Sequence, residues 1–599
     1  MEGLVSTETP PVVAEEEALL ANIRQRLIEN PLGARQSSEL DIATEIRRLQ
    51  SQLGTAKEED KAAMLQQIDH LASLLDQVRK QAAQAEVDPD SPYFARLRLT
   101  ESGRELDVFL GRATRLSHGI RIVDWRNAPI SRLFYRYEEG DEYAEEMADR
   151  TREGTVTIRR TMHITAGHLQ RLDTADTTYV NHAGGWTQLS PDAQRLRGGQ
   201  GTALRAGRST GAHLGSGEKL RADKHLPDIA ALIDPEQFEL ITGPNSGVVV
   251  LRGAAGTGKT TVALHRIAYL TYAHPQAFLP SKILVVVWGR AMRDYVAHVL
   301  PALGVEGVHV TTWEQWARGM VKRHYPHLPQ QVADDTPEPV VRIKLHPGVA
   351  DALAQASREN PSQRTPEAAL EDWGRVLTDK ALLAEVMGDD ISPAQLDKAH
   401  AWCTAQWNAV NAWWEGDREV DARLDPEDDA LLLRAWQLRV GPLRSKKKRP
   451  LDYAHMVLDE VQDFSPVEVN VLLETASKKQ CVTLAGDTRQ HITQHAGFSS
   501  WAEFLERIGV ASTALSTLAV SYRSTHPVTQ FAISVLEDEN QPPRTLRDGP
   551  PVELFRFSDH GACVAFLAQT LRRLTDTEPL ANIALLTPDG ATAEVYADG

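Results

Sequence analysis

Residues 253–260 read Gly253-Ala254-Ala255-Gly256-Thr257-Gly258-Lys259-Thr260, directly after the apolar run VVVLR and before a segment whose apolar residues have helical spacing. Glycines let the backbone curl so that its N–H groups point at phosphate oxygens, and the following helix adds the positive end of its dipole. In such a loop the lysine reaches the β- and γ-phosphates and the next hydroxyl ligates Mg²⁺. All eight residues are therefore predicted to bind ATP or GTP, with Lys259 on the phosphates and Thr260 on the metal ion.

Short apolar runs alternate with helical patterns on the C-terminal side of this loop. The runs are VVVLRG, ILVVVW, VHVTTW, HMVLDE and CVTLAGD. Alternation of short strands and helices predicts an α/β fold with a parallel sheet.

A second chemical signal ends one of these runs, in the sequence VLDEVQD, which contains Asp459 and Glu460. In a phosphate-loop fold an acid at this strand end holds Mg²⁺, and a neighbouring carboxylate can orient the attacking water. We predict that Asp459 holds the metal ion through its water shell and that Glu460 is the general base. The alternative is an acidic surface turn, which the adjoining buried strand and the phosphate loop make the lesser case.

Between the third and fourth runs lies a long stretch, 333–449, which is helical in pattern, rich in acids and closed by the basic run SKKKRP. A structureless connection of this length inside a compact sheet is improbable, so the stretch is predicted to be an inserted helical domain. It contains six of the chain's 12 tryptophans: Trp373, Trp402, Trp407, Trp413, Trp414 and Trp436. Most are expected in the core, whereas the Trp413–Trp414 pair could serve either the core or an interface.

The N-terminal third has two different patterns. Residues 15–29 have the spacing of an amphipathic helix, and residues 37–78 have a near-heptad seam that breaks at Gly54–Asp60. This pattern predicts an antiparallel coiled-coil hairpin about 25–30 Å long, or alternatively a helical pair packed flat on the body. From residue 91 the alternating runs FARLRL, LDVFLGRA, IRIVDWR, LFYRYEEGD and GTVTIRRTMHI predict a small β-rich domain, followed by a Gly/Arg/Ser-rich linker over 195–225.

Composition limits the possible settings of the chain. It has 599 residues, a formal net charge of −17 and three cysteines, Cys403, Cys481 and Cys563, in no metal-like spacing. No apolar run approaches the ~18 residues of a membrane span, and the acidic N-terminus is unlike a secretory signal, so we expect a cytoplasmic protein without a membrane partner. The acidic balance leans weakly against DNA as the main partner and towards a protein with a basic surface.

The motifs together resemble the UvrD/Rep family of superfamily 1 motors, whose core is a RecA-like P-loop NTPase fold. DEVQD is similar to the DExxQD box of this family, LAGDTRQ to its third motif and VSYRS to its fourth. The resemblance implies that Gln490 senses the γ-phosphate, that Tyr522 stacks on adenine and that Arg523 stabilises γ-phosphate charge. Gln237, in DPEQFEL, stands where the family's adenine-reading glutamine stands. ATP and Mg²⁺ are the implied cofactors.

A narrower resemblance points to the HelD-type, RNA-polymerase-associated branch. It rests on GAAGTGKTTVALHRIAYL, on IVDWRNAPISRLFY (Ile122–Tyr135) after VFLGR, and on the predicted N-terminal coiled coil. The branch implies a factor that inserts its arm and its core insertion into RNA polymerase channels and uses ATP for release or recycling. RNA polymerase is therefore the expected partner.

Some stretches depart from the unwinding helicases of the family. Their strand-gripping T-x-[TN]-x-x-A stretch is replaced here by WGRAMRDYV, and Thr493 and His495 stand where a base-stacking Tyr and Trp are expected. Each stacked base contributes about 1–3 kcal/mol, so the grip on a nucleic-acid track should be weakened. The alternative function is a 3′–5′ DNA helicase or translocase acting in repair.

The expected organisation follows from these patterns. A second RecA-like domain is expected only in part, because the fifth and sixth motifs are absent from the sequence. The predicted units are a coiled-coil arm (1–90), a β-rich domain with linker (91–230), an ATP-binding RecA-like domain (231–332 and 450–520), the helical insertion (333–449) and the start of a second RecA-like domain (521–599).

Overall fold

Two large β-sheets, one mainly antiparallel and one entirely parallel, organise the computed structural model. The structure describes residues 5–6, 9–30, 87–117, 119–147, 150–182, 185–189, 233–253, 256–359, 363–487, 500–510, 515–518, 520–521, 526–536, 544–545, 551–577 and 583–598. The predicted coiled-coil hairpin over 37–78 and the linker over 195–225 lie outside these residues.

The antiparallel sheet contains ten strands in the order β1-β10-β9-β8-β7-β2-β3-β5-β4, with β6 paired to β7 and only β3 and β5 parallel. The strands are β1 (Val5–Ser6), β2 (Ala95–Glu101), β3 (Arg104–Gly111), β4 (Arg115–Ser117), β5 (Ile120–Asp124), β6 (Glu142–Met147), β7 (Arg150–Thr165), β8 (His168–Asp173), β9 (Thr178–His182) and β10 (Gly185–Leu189). Helix α1 (Pro11–Glu29) packs on this sheet through Leu20, Ile23 and Leu27, the face expected from the sequence.

One expected strand is a helix. LFYRYEEGD was predicted to be extended, but Leu133–Arg136 form the last turn of α2 (Ala128–Arg136). Proline in the first turn of α2 favours a helix start because its fixed φ suits that position and it has no N–H to leave unpaired. Leu133 and Phe134 of this turn are both buried. Alternation over so few residues did not distinguish the two conformations.

The six-stranded sheet is parallel, as predicted, in the order β13-β12-β14-β15-β11-β16. Its strands are β11 (Val248–Gly253), β12 (Ile283–Val287), β13 (His309–Thr312), β14 (Tyr453–Asp459), β15 (Ala476–Gly486) and β16 (Leu515–Leu518). The accompanying helices are α3 (Pro235–Ile241), α4 (Lys259–Ala273), α5 (Arg290–Ala302) and α6 (Trp313–His324), with short 3₁₀ turns at Pro280–Lys282 and Val461–Asp463. Because β11, β14 and β15 are parallel neighbours, their carboxyl ends meet at one edge.

The stretch between β13 and β14 is helical, and it is joined to the sheet by a continuous core. Its helices are α7 (Glu338–Leu345), α8 (Pro347–Glu359), α9 (Pro366–Thr378), α10 (Lys380–Met387), α11 (Pro393–Glu415) and α12 (Asp428–Arg439), with a 3₁₀ turn at Gly388–Asp390. Trp373 and Leu431 share one buried cluster with Leu284 and Met456 of the sheet. The insertion therefore covers one face of the parallel sheet, while α3, α4, α5 and the antiparallel sheet cover the other.

Later elements are α13 (Pro466–Leu473), α14 (Trp501–Arg507), β17 (Val520–Ser521), α15 (His526–Leu536), β18 (Arg544–Thr545), α16 (His560–Thr577) and α17 (Gly590–Asp598). Strands β17 and β18 form a separate parallel pair. Among the helices that the structure describes, none combines the length and the apolar character needed to cross a membrane.

Candidate nucleotide-binding site

The loop between β11 and α4 is shaped by glycines in left-handed conformations. Gly256 has φ 78° and Gly258, the residue before α4, has φ 86°. A residue with a Cβ pays about 1–2 kcal/mol in this region, so glycine suits both positions. The turn places Lys259 and Thr260 in the first turn of α4, where backbone N–H groups have no intrahelical partner and favour an anion. The Lys259 Nζ donates to the carbonyl of Gly253 at 2.8 Å, across the mouth of the loop.

Thr260 contacts the acid at the end of β14. Its hydroxyl donates to Oδ2 of Asp459 at 2.7 Å, although the two residues are 199 positions apart. Burial raises the pKa of Asp459 to about 6, with a further contribution from the adjacent negative charge of Glu460, and Thr260 and Lys259 oppose the shift. A buried carboxylate beside a like charge is electrostatically unfavourable, and a bound cation relieves that cost.

Glu460 has a positive φ of 55°, an unusual value for a residue with a side chain. Backbone strain of this kind costs on the order of 1–3 kcal/mol and often marks functional sites. The N–H of Glu460 donates to Asp459 Oδ1 at 3.2 Å, and its Oε2 accepts from Gln462 Nε2 at 2.8 Å. Asp459 is thus buried against the sheet, whereas its neighbour Glu460 is only partly buried.

Gln462, to which the sequence motifs assign no role, connects the ends of two strands. It is 1% exposed, and its Oε1 accepts the backbone N–H of Asp487 at 3.0 Å, which ties the turn after β14 to the end of β15. A Cβ on Gly486 would come within 2.7 Å of this oxygen, so glycine is needed there for the close approach. The position of Gln462 inside the DExxQD-like box was the available signal for this role.

Gln237 lies against the loop at the start of α3. It forms a capping box with Asp234, in which the Asp234 side chain accepts from Gln237 N at 2.7 Å and Asp234 N donates to Gln237 Oε1 at 3.4 Å. Gln237 Nε2 donates to the carbonyl of Thr257 at 3.3 Å. Each end of the amide therefore has one further hydrogen-bonding position. Reading of adenine by Gln237 stays a prediction, and the capping box is a structural role beside it.

The structure therefore brings most of the predicted site to one sheet edge. Gathered there are Gln237, Gly253, Gly256, Thr257, Gly258, Lys259, Thr260, Asp459 and Glu460. Outside the described residues lie Ala254, Ala255, Gln490, Thr493, His495, Tyr522 and Arg523.

The donor set suits Mg²⁺ bound together with phosphates. Thr260 and Asp459 supply hard oxygen ligands side by side, and Mg²⁺ commonly uses one or two protein oxygens while substrate phosphates and water complete its shell. No group of three or more His, Cys, Asp or Glu side chains within the described ranges could hold a metal by itself. The residues present thus fit a metal ion that arrives with a nucleotide.

Comparison with known proteins agrees with this geometry. Residues 13–183 match the family model of the DNA helicase IV HelD N-terminal domain, and residues 233–497 match that of the UvrD/REP helicase N-terminal domain. The ATP-dependent DNA helicase UvrD2 of Mycobacterium tuberculosis is 26% identical over 407 residues, which cover 62% of this chain and 54% of that protein.

Two further relatives have similar coverage. DNA helicase II of Escherichia coli is 24% identical over 385 residues, covering 61% of this chain and 50% of that protein. The ATP-dependent DNA helicase PcrA of Bacillus subtilis is 23% identical over 379 residues, covering 61% and 48%. The chain spans about half the length of these relatives.

Proposed function

Because the chain belongs to the UvrD/Rep-like superfamily 1 helicases and has a HelD-type N-terminal region, we propose that it binds and hydrolyses ATP at the edge where β11 and β14 end. The observation that carries this proposal is the 2.7 Å hydrogen bond from Thr260 to Asp459, which joins the phosphate loop to the acidic turn. Lys259 and the N–H groups at the start of α4 would hold the phosphates. Thr260 and Asp459 would hold Mg²⁺, which neutralises phosphate charge when bound.

Within this proposal Glu460 takes the proton from the attacking water. Its carboxylate is next to the metal-binding acid but on the outer side of the turn, and Gln462 orients it through the 2.8 Å hydrogen bond. Gln490, Tyr522 and Arg523 are assigned to the γ-phosphate, adenine and γ-phosphate charge on resemblance alone.

The test separates binding from turnover. Lys259→Ala should weaken ATP binding, whereas Glu460→Gln should keep binding and lower turnover by about 10²–10⁴-fold, the usual contribution of a general base. Glu474→Gln, an exposed change on the same domain, is the matched control and should leave both quantities unchanged. Hydrolysis by Glu460→Gln at the unmodified rate would show that another group is the base.

We further propose that the motor is a HelD-type factor that binds RNA polymerase and uses ATP to dissociate or recycle it. The match of residues 13–183 supports a HelD-type N-terminal region, and the net charge of −17 suits a partner with basic surfaces. Purified RNA polymerase core enzyme should therefore be retained by the immobilised chain. No retention would leave the ATPase proposal standing and remove this one.

The predicted coiled-coil arm gives a sharper version of that experiment. The described segments on either side of it contact each other, because Arg24 of α1 donates to the carbonyl of Pro89 at 2.9 Å and pairs with Asp90 at 2.7 Å. Residues 40–78 can therefore be replaced by a short Gly/Ser link, because residues 31–39 and 79–86 remain to connect these two segments. We expect ATP binding to stay intact and polymerase binding to fall markedly. Undiminished polymerase binding would move attention to the helical insertion at 333–449.

The second candidate function is a 3′–5′ DNA helicase, and the names of the relatives favour it, since all three are DNA helicases. Thr493 and His495, where stacking aromatics are expected, argue for weak unwinding. Separation of a 3′-tailed duplex should consequently be slow or undetectable. Robust strand separation that depends on Lys259 would favour the helicase.

A further inference from the structure

The HelD-type region and the nucleotide-binding core meet at α3, a short helix whose first turn contains Gln237. Tyr135, at the end of α2, stacks on Phe238 with ring centroids 4.4 Å apart and an interplanar angle of 23°. Both side chains are nearly fully buried, at 2% and 1% exposure. Phe238 is the residue after Gln237, so the stack lies one residue from the predicted adenine-reading glutamine.

A second pair of rings joins the same stretch to the helix of the phosphate loop. The rings of Trp125 and His265 of α4 pack against each other with centroids 5.3 Å apart, and both side chains are buried. His265 Nδ1 lies 2.8 Å from the carbonyl of Thr261, the residue after the proposed metal ligand. The guanidinium carbon of Arg126 lies over the ring of Tyr272, 4.8 Å from the ring centroid. Residues 125–135 therefore contact both α3 and α4.

The carboxyl end of α3 is held by Arg266 of α4. This buried guanidinium donates to the carbonyls of Leu240 at 3.1 Å, Ile241 at 3.3 Å and Gly243 at 3.3 Å, and also to that of Pro244. The carboxyl end of a helix favours a cation, which explains how the charge is accommodated. A helix of seven residues is not stable alone, so its position is set by these tertiary contacts.

The amide of Gln237 lies close to the phosphate loop, so the position of α3 determines where this amide stands relative to the loop. A Cβ on Gly258 would be only 3.1 Å from Gln237 Nε2, and the same nitrogen is 3.3 Å from Thr257 O. A shift of α3 by less than an ångström would therefore move the amide relative to the phosphate loop.

We propose that Tyr135 is a positioning residue for base recognition: by stacking on Phe238 it fixes α3 so that Gln237 faces the nucleotide, and the HelD-type region thereby sets the affinity and base preference of the core. The proposal rests on the proposed ATPase function and on the predicted reading of adenine by Gln237. It makes the N-terminal region a determinant of nucleotide binding as well as a candidate partner-binding element.

The test compares three tyrosine variants of the full chain. Tyr135→Leu removes the stack, Tyr135→Phe keeps the ring, and Tyr93→Leu is the matched control. Tyr93 is equally buried in the same region and packs on Phe109 at 4.6 Å, but it belongs to a separate cluster that does not include α3. Loss of an aromatic pair corresponds to a change of about 3- to 10-fold in an equilibrium constant.

We expect Tyr135→Leu to raise the Kd and KM for ATP by about 3- to 10-fold, with kcat within about twofold and the ATP-over-GTP preference reduced. Tyr135→Phe and Tyr93→Leu should retain the unmodified values. In a Gln237→Ala background the effect of Tyr135→Leu on base preference should disappear, because coupled residues are not additive.

Two sets of results would overturn the inference. Equal increases in KM from Tyr93→Leu and Tyr135→Leu would show a general loss of stability, and unchanged affinity and preference in Tyr135→Leu would show that the stack does not position Gln237. In either case Lys259-dependent ATP binding by the unmodified chain keeps the ATPase proposal intact. Absence of that binding would instead reject both.

Discussion

Two groups of buried carboxylates in this molecule differ in how their charge is balanced. In the helical insertion, Lys344 Nζ lies 2.5 Å from Asp425 Oδ2 and 2.6 Å from Asp428 Oδ1, and all three side chains have no exposed surface. Burial alone would lower the pKa of Lys344, but Asp428, Cys403 and Asp425 outweigh it and raise the pKa. We call these three residues the closed network because a buried cation lies between the two carboxylates, and Lys344 opposes the rise that burial and then Asp425 cause in the pKa of Asp428.

At the end of β14 the acids stand together instead. Asp459 has Glu460 beside it and receives a hydroxyl from Thr260, while the Lys259 amine donates to a backbone carbonyl. Its pKa is raised to about 6 by burial and then by the charge of Glu460. In the insertion a buried lysine balances the buried carboxylates. At the nucleotide edge the adjacent acids hold negative charge that lowers the stability of the fold and favours the binding of a cation.

The largest expected effect comes from removing the cation of the closed network. Lys344→Met keeps the side-chain volume but leaves Asp425 and Asp428 buried without their partner. Breaking a buried ion pair from one side costs about 3–5 kcal/mol, so the free energy of unfolding measured in urea should fall by that amount.

The matched change at the site is Lys259→Met, which replaces a lysine of 6% exposure. Its expected effect on the free energy of unfolding is about 1–2 kcal/mol, smaller than that of Lys344→Met, because its amine donates to the neutral carbonyl of Gly253. Equal losses from both substitutions would mean that the two regions do not differ as described.

A change of opposite sign is expected at Asp459. Its folded-state pKa of about 6 lies above the ordinary value of 3.8, so the folded state binds the proton more tightly than the unfolded state. The buried charge therefore costs stability above pH 6, and the cost is relieved as the pH falls through 6 towards 4. Asp459→Asn should raise the free energy of unfolding by about 1–2 kcal/mol at pH 7.5 without Mg²⁺, and by almost nothing at pH 4.

The same variant should bind Mg²⁺·ATP more weakly, since it loses the charged ligand, and isothermal titration measures this. Asp425→Asn is the control from the insertion, where neutralising an acid leaves Lys344 less well paired and should lower stability at pH 7.5. A gain in stability from both substitutions would contradict the assignment of the insertion as a closed network.

These two regions also differ in how far the sequence predicts them. The phosphate loop and the acidic turn are local motifs at strand ends, and a parallel sheet brings strand ends together, so the meeting of Thr260 and Asp459 could be foreseen. Lys344 and Asp425 are 81 positions apart, on elements whose packing no local pattern encodes. The helical character of 333–449 follows from periodicity, but its shared core with the sheet does not.

No local sequence pattern predicts the contact between the HelD-type region and α3 either. IVDWRNAPISRLFY resembles a family stretch, but Phe238, the partner of Tyr135, is more than 100 positions away and each of the two residues is an ordinary aromatic in the sequence. The alternating pattern of Leu133–Arg136 predicts a strand, whereas these residues belong to the helix from which Tyr135 stacks on α3.

The smallest expected effect tests whether the insertion network is closed by more than its lysine. Trp402 Nε1 donates to Asp425 Oδ2 at 3.1 Å, and the same carboxylate accepts from Thr336 at 2.9 Å and from Lys344. Trp402→Phe removes one donor and keeps most of the packing. Since the remaining donors still satisfy the charge, the free energy of unfolding should fall by about 1 kcal/mol, less than the full value of a charged hydrogen bond.

Combined with Lys344→Met, the effect of Trp402→Phe should change, because residues in one hydrogen-bond network are coupled by about 0.5–3 kcal/mol. Without the lysine, Asp425 depends more on its remaining donors, so the tryptophan should then matter more. The exposed pair of Arg342 and Glu338, 2.9 Å apart in α7 of the same insertion, is the control, and Glu338→Ala should cost no more than about 0.5 kcal/mol. Strict additivity of the Trp402 and Lys344 substitutions would show that Asp425 is held by independent contacts, and the contrast with the open acid pair at Asp459 would then rest on Lys344 alone.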